Sequence, residues 1–237
     1  MLGGKARVGK TTAANILKII AESLDMDPVV LPFAKAIKDE ATKKGLSKDL
    51  NAEEYRAFCQ ELGATKRSKD PDYWVNKFNK TFEKIAKEEN KNLEDDRKKY
   101  KEKVIIVDDC RYLNEINYGR SIGAKQVFIS HGKRELEDHN GEWRNHESEV
   151  MGNLVESGNK DYDSLFEFKI TNEGNMDSFL DSLSQLAMLL FSVVAESLVL
   201  CNCEVCLAAR QGRPVKEDIL LKEIEEMIED IYKKEQE

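Results

Sequence analysis

Residues 3 to 12 read GGKARVGKTT, and Gly4, Gly9, Lys10 and Thr11 within them fit the spacing G-x-x-x-x-G-K-[ST]. No other stretch constrains the fold as tightly, because this loop works between a parallel strand and a helix, with its backbone wrapped around phosphates. Glycines let the backbone approach the anion, and the N-terminal end of the following helix adds positive potential. Gly4, Lys5, Ala6, Arg7, Val8, Gly9, Lys10, Thr11 and Thr12 are therefore the candidate contacts for ATP. Lys10 supplies a mobile charge to the β and γ phosphates, and the Thr11 hydroxyl is placed to bind Mg²⁺. Arg7 is either a solvated surface residue or a guanidinium beside a transferring phosphoryl group, where charge spreads over equatorial oxygens. Only Met1 and Leu2 precede Gly3. So short a lead-in suggests a mis-assigned start, a truncation or a replaced first strand, and a loop deprived of the backbone ladder that would hold it.

Behind the loop, TTAANILKIIAESL carries Ala14, Ile16, Leu17, Ile20 and Leu24 at three- and four-residue spacings, so Thr11 opens a helix. PVVLPFA (28–34), VIIVDD (104–109) and QVFIS (126–130) are short apolar runs that read as buried parallel strands, and FEFKIT (166–171) is a fourth with partial alternation. Helical patterns cover 34–45, 52–63 and 71–89. The charge run KEENKNLEDDRKKYKEK reads as a solvated helix end or loop. Strands and helices thus alternate, which implies an α/β fold, a three-layer αβα arrangement around a central parallel sheet. Residues 131–160 are polar, hold all three histidines and lack a clear period, so they read as an active-site loop or lid.

Two helical segments close the chain. The centre of 176–200, LAMLLFSVVA, is apolar all round but too short for a membrane span, which leaves a buried core helix or a subunit interface and keeps a homodimer open. EDILLKEIEEMIEDIYKKEQE is an amphipathic helix that must pack on something. The expected organisation is one catalytic domain over 1–185, its lid at 131–160, followed by a helical extension over 186–237.

Across its 237 residues, 37 basic against 45 acidic side chains leave a net charge of −8, which argues against a nucleic-acid polymer as partner. No secretory signal or Arg-rich transit peptide is visible, so a cytoplasmic protein is expected. Five cysteines, an odd number unevenly spread, fit reduced thiols. Cys201, Cys203 and Cys206 offer three thiolates where a structural zinc normally takes four ligands, so free thiols are the simpler reading.

Asp108 and Asp109 end a buried strand, at the sheet edge where open α/β folds gather ligands. One of them is expected to hold Mg²⁺ or orient the attacking oxygen; the plainer alternative is a turn with Asp109 capping the next helix.

Taken in order, GKARVGKTT, FAKAIKDEA, YRAFCQELGATKR followed by DPDYWV, VIIVDDCRYLNEI, HESE and FKITNEGNMDSFLDSL resemble the bacteriophage-type deoxynucleoside monophosphate kinases, from about residue 3 to 185. The resemblance implies a P-loop kinase fold and transfer of the γ-phosphoryl group of ATP, with Mg²⁺, to a deoxynucleoside monophosphate. By motif, Arg7 and Lys10 would act on the transferred group, and Asp109 and Arg111 in the D-x-R-x-x-N-E segment would organise metal and phosphate. Asn114 and Glu115 would close that segment's turn and helix start. Arg56, Gln60, Arg67 and Trp74 fall in the acceptor stretch, although Trp74, followed by Val75 and Phe78, reads equally as core. Lys133, Arg134, Arg144 and His146 would belong to a lid that excludes water, against the alternative of an exposed basic loop. The chain departs from the family at Thr11, where the family continues with aspartate, and at Ala64, where it expects a threonine.

Three other readings share the loop. A P-loop kinase of another small metabolite, such as dephospho-coenzyme A, would not call for the acceptor stretch. A ParA-like switch ATPase would use Lys5 as its signature lysine, but bulky Arg7 argues against that loop. The third is an inactive nucleotide-binding scaffold.

Overall fold

A computed structural model of the chain describes residues 1–95, 101–132 and 147–197. In order these form β1 (Leu2–Gly3), α1 (Lys10–Ser23), β2 (Asp27–Val30), α2 (Lys35–Lys43), α3 (Ala52–Lys69), α4 (Tyr73–Asp95), β3 (Lys103–Ile106), α5 (Leu113–Ser121), β4 (Val127–His131), α6 (Glu147–Glu156), α7 (Lys160–Asp163), β5 (Phe168–Asn172) and α8 (Met176–Ser197). The chain divides into two compact units, Met1–Leu186 and Ala187–Glu237, and these strands all lie in the first.

Every strand pair among the described residues is parallel, as an α/β chain with helical crossovers requires. One sheet has the order β1-β4-β5 and the other pairs β2 with β3. Backbone bonds link the two: the Leu2 amide donates to the Val107 carbonyl at 2.7 Å, and the Cys110 amide donates to the Leu2 carbonyl at 3.2 Å. On the other side of β1, the Val127 amide donates to the Met1 carbonyl at 2.9 Å. This corrects the expectation of a loop without a ladder. Two residues suffice because each flank of β1 is bonded, and Leu2 is buried between them.

Other boundaries shift for local reasons. β2 stops at Val30 although the apolar run continues to Ala34, because Pro32 has no N–H to give to a ladder. The Leu31 amide still reaches the Ile106 carbonyl at 2.8 Å. Helix α3 runs on to Lys69, past the expected end at 63. The stretch 131–160 is not all loop: α6 lies within it and α7 begins at its last residue. Helix α6 turns Met151 and Val155 to the core, but it buries Glu149 as well, and a charged residue on the inner face erases the apolar period.

The core of this unit includes Phe33, Phe78, Val107, Ile116, Phe128 and Phe166. Phe33 and Phe78 meet with ring centroids 4.3 Å apart, and Phe128 meets Phe166 at 5.1 Å. Cys59 and Cys110 are free thiols, whereas Cys201, Cys203 and Cys206 lie outside the described residues, as does the amphipathic terminal helix. Among the described residues no helix is long and apolar enough to cross a membrane.

Candidate active site

Between β1 and α1 the chain makes a sharp loop in which Gly4 has φ of 134° and Gly9 has φ of 98°. Both lie where side chains are strained, and a Cβ on Gly4 would stand 2.2 Å from the Ile129 carbonyl oxygen. Arg7 also takes a left-handed φ, 63°. Lys10 opens α1 and folds back over the loop, its Nζ donating to the Gly4 carbonyl at 2.8 Å and to the Lys5 carbonyl at 2.5 Å. The Asn172 side chain, at the end of β5, donates to the Val8 carbonyl at 3.2 Å. Lys10 is only 6% exposed. Burial lowers its pKa to about 8, helped by the Arg111 charge and opposed by Glu149, Asp109 and Asp108.

Arg7, Gly9, Lys10, Thr11 and Thr12 line one wall of a cleft of about 590 Å³. Gly4 and Val8 are buried behind them, and Lys5 is ion-paired with Glu156 of α6. No acidic residue occupies the first turn of α1, so nothing in the helix itself offsets the positive potential of its N-terminal end.

The two aspartates have divided their work. The Thr11 hydroxyl donates to Asp108 Oδ2 at 3.0 Å, which places two hard oxygen donors together at the cleft. Asp109, the carboxylate expected to hold the metal, is instead engaged by backbone: its Oδ1 accepts from the Phe33 amide at 2.8 Å and its Oδ2 from the Ala34 amide at 2.9 Å. Burial raises the Asp109 pKa, and the two amides partly offset this. Nor does Asp109 cap α5. Thr11 and Asp108 are thus the cleft oxygens that could hold a divalent cation, a sparse pair of the kind that suits Mg²⁺, which keeps waters and takes further oxygens from substrate phosphates.

A second wall comes from α2, α3 and the segment after β3, with Ile37, Lys38, Tyr55, Cys59, Gln60, Arg67, Tyr112 and Glu115 on the cleft. The Arg67 guanidinium lies 4.0 Å from the centre of the Tyr112 ring. Gln60 and Arg67 thus reach the cleft as expected, while Arg56 is exposed and does not line it. Trp74 borders the cleft but is 4% exposed, and its indole N–H donates to the Gly63 carbonyl at 3.2 Å, which makes it a core residue. Lys133, Arg134, Arg144 and His146 lie outside the described residues.

Residues 111–115 turn sharply into α5. The Arg111 and Tyr112 amides both donate to Glu115 Oε2, at 2.8 and 3.1 Å, and Asn114 Nδ2 donates to Pro71 and Asp72 at 2.9 Å. Burial, reinforced by Asp109, pushes the Glu115 pKa up to about 7, against these amides and Arg67. Arg111 lines the cleft, and its Nη1 donates to Glu149 Oε1 at 2.9 Å. Glu149, in the quoted HESE, is a site residue that spacing did not single out; the signal was an acid among Met151, Gly152 and Val155.

The chain matches no protein-family model and no curated protein sequence.

Proposed function

We propose that this chain is a P-loop-type nucleotide kinase that moves the γ-phosphoryl group of ATP onto the phosphate of a deoxynucleoside monophosphate. One observation carries the reading: a single cleft is lined by the glycine-rich loop, Asp108 and Arg111 on one wall and by Tyr55, Gln60 and Arg67 on the other. A switch that only hydrolyses ATP needs no second wall. A transferase must hold an acceptor oxygen in line with the transferred group.

In this reading Lys10 leaves the loop carbonyls for the β and γ phosphates, and the N-terminal end of α1 faces the same charge. Thr11 and Asp108 would hold Mg²⁺, which neutralises charge on the phosphate oxygens. Arg67 meets the acceptor phosphate, and the half-buried rings of Tyr55 and Tyr112 offer faces for a base. An acceptor phosphate oxygen attacks the γ phosphorus, the bond to the β–γ bridging oxygen breaks, and ADP leaves. The acceptor phosphate is already ionised at neutral pH, so no general base is required. Lys5 is paired with Glu156 of its own chain, which speaks against use as a switch ATPase's signature lysine.

The test is ADP release from Mg·ATP across a panel of deoxynucleoside monophosphates, ribonucleotides and dephospho-coenzyme A. Release should appear only with a deoxynucleotide acceptor. Equal release with and without every acceptor would favour a switch ATPase, and preference for another metabolite would replace the acceptor named here.

A further inference from the structure

Glu149 is 2% exposed, and carboxylates are almost never so buried unless they are paired. Its two oxygens serve different parts of the cleft. Oε2 accepts from the Ala6 amide at 2.8 Å, and Oε1 accepts from Arg111 Nη1 at 2.9 Å. Ala6 lies in the loop after β1, whereas Arg111 lies beyond β3, so one side chain joins groups carried by two strands. The same helix is seated on the loop twice more. Glu156 pairs with Lys5, and Gly152 lies so close that a Cβ there would be 2.7 Å from Lys5 Cγ.

We propose that Glu149 is a positioning residue for phosphoryl transfer, holding the Arg111 guanidinium in fixed register with the phosphate loop. The proposal rests on the kinase reading above. An arginine has many rotamers, and a charge that must be recruited during the reaction stabilises the transition state less than one already in place. Glu149 sets Arg111 against the backbone that cradles the phosphates. A helix that needed only to pack on the loop would do so with an apolar residue at 149, since a buried ion pair adds little stability over well-packed hydrophobic atoms.

Glu149→Gln separates position from packing. The glutamine keeps the shape and an oxygen for the Ala6 amide but removes the charge that holds Arg111. In the full chain, with Mg·ATP and the best deoxynucleotide of the panel, kcat should fall about 10- to 100-fold, with both KM values within about threefold. In an Arg111→Ala background the same change should alter kcat by less than about twofold, because Glu149 acts through the arginine. Labelling by phenylglyoxal, mapped by mass spectrometry, should reach Arg111 several-fold faster in Glu149→Gln, with labelling of Arg67 unchanged. Unchanged Arg111 labelling, multiplicative losses of kcat in the double variant, or a collapse of the cooperative melt would each overturn the role given to Glu149. A parent chain inactive on every acceptor would instead overturn the kinase reading, and the transfer role with it, whatever the labelling shows.

Discussion

Helix α1, behind the phosphate loop, buries eight of its 14 residues, whereas α3, across the cleft, buries one of its 18, Gly63. The loop is further fixed by bonds from distant segments: Asn172 to Val8, Glu149 to Ala6, and Asp108 to Thr11. On α3 the cleft-facing Tyr55, Cys59 and Arg67 are half-buried, and Arg67 is held against a ring. Under the kinase reading, the contrast fits different jobs for the two walls. Groups that stabilise a transition state must be in place beforehand, while groups that recognise an acceptor gain from side chains able to settle around it. Variants of the two walls should therefore fail in different ways.

The largest effect is expected on the loop wall. Lys10→Ala removes the charge that follows the phosphates, and kcat should drop by roughly a thousandfold or more. A variant that keeps its kcat and loses only affinity for ATP would break the distinction, because the loop would then be a binding surface. On the helical wall, Arg67→Ala should raise KM for the deoxynucleotide about tenfold and leave KM for ATP within about twofold. Loss of kcat without a change in the acceptor KM would move Arg67 to the side of Lys10.

The effect least visible in the kinetics, one on stability, is expected at Glu115, which lines the cleft beside Tyr112. Its pKa in the folded chain, about 7, is raised above the ordinary 4.5, so the protonated acid is the form the fold favours. Its contribution to stability is therefore fully present below about pH 4.5 and is lost as pH rises through 7. Glu115→Gln cannot ionise and still accepts from the Arg111 and Tyr112 amides. Between pH 5 and pH 8 the parent should lose on the order of 1–3 kcal/mol relative to this variant, read from urea midpoints at each pH. Parallel pH dependence of the two proteins would show that Glu115 stays ionised in the fold.

The loop wall was the more legible of the two because its signal is local. Gly4, Gly9, Lys10 and Thr11 sit within a few residues of one another, and the backbone geometry they require leaves little choice. The α/β class was legible too, from apolar runs that alternate with helical periods. On α3 the residue types were readable but the helical phase was not: Tyr55 and Cys59, four apart, face the cleft, while Arg56 is exposed. At the end of β3 both aspartates stood out, but which one turns to Thr11 depends on the β2–α2 turn that arrives from elsewhere in the chain. Glu149 lay beyond reach for a related reason. Its partners, Ala6 and Arg111, are far away in sequence, and its burial disguised the helix that carries it.

The Asp109 carboxylate, with one backbone amide on each oxygen, bears on how substitutions at this cleft are to be interpreted. Asparagine has the same outline but a single acceptor oxygen, so one of the two amides would face an N–H group instead. Even the gentlest replacement at 109 therefore disturbs the turn that carries Phe33 and Ala34 into the cleft. At 108 the same exchange disturbs no backbone bond; it alters the contact with the Thr11 hydroxyl and removes a charge felt by Lys10 and Asp109. A mutational survey would rank 109 as the more sensitive of two adjacent acids, although 108 is the one bonded to the phosphate loop's helix at Thr11. At neighbouring positions beyond β3, intolerance to change and closeness to the phosphate loop have come apart.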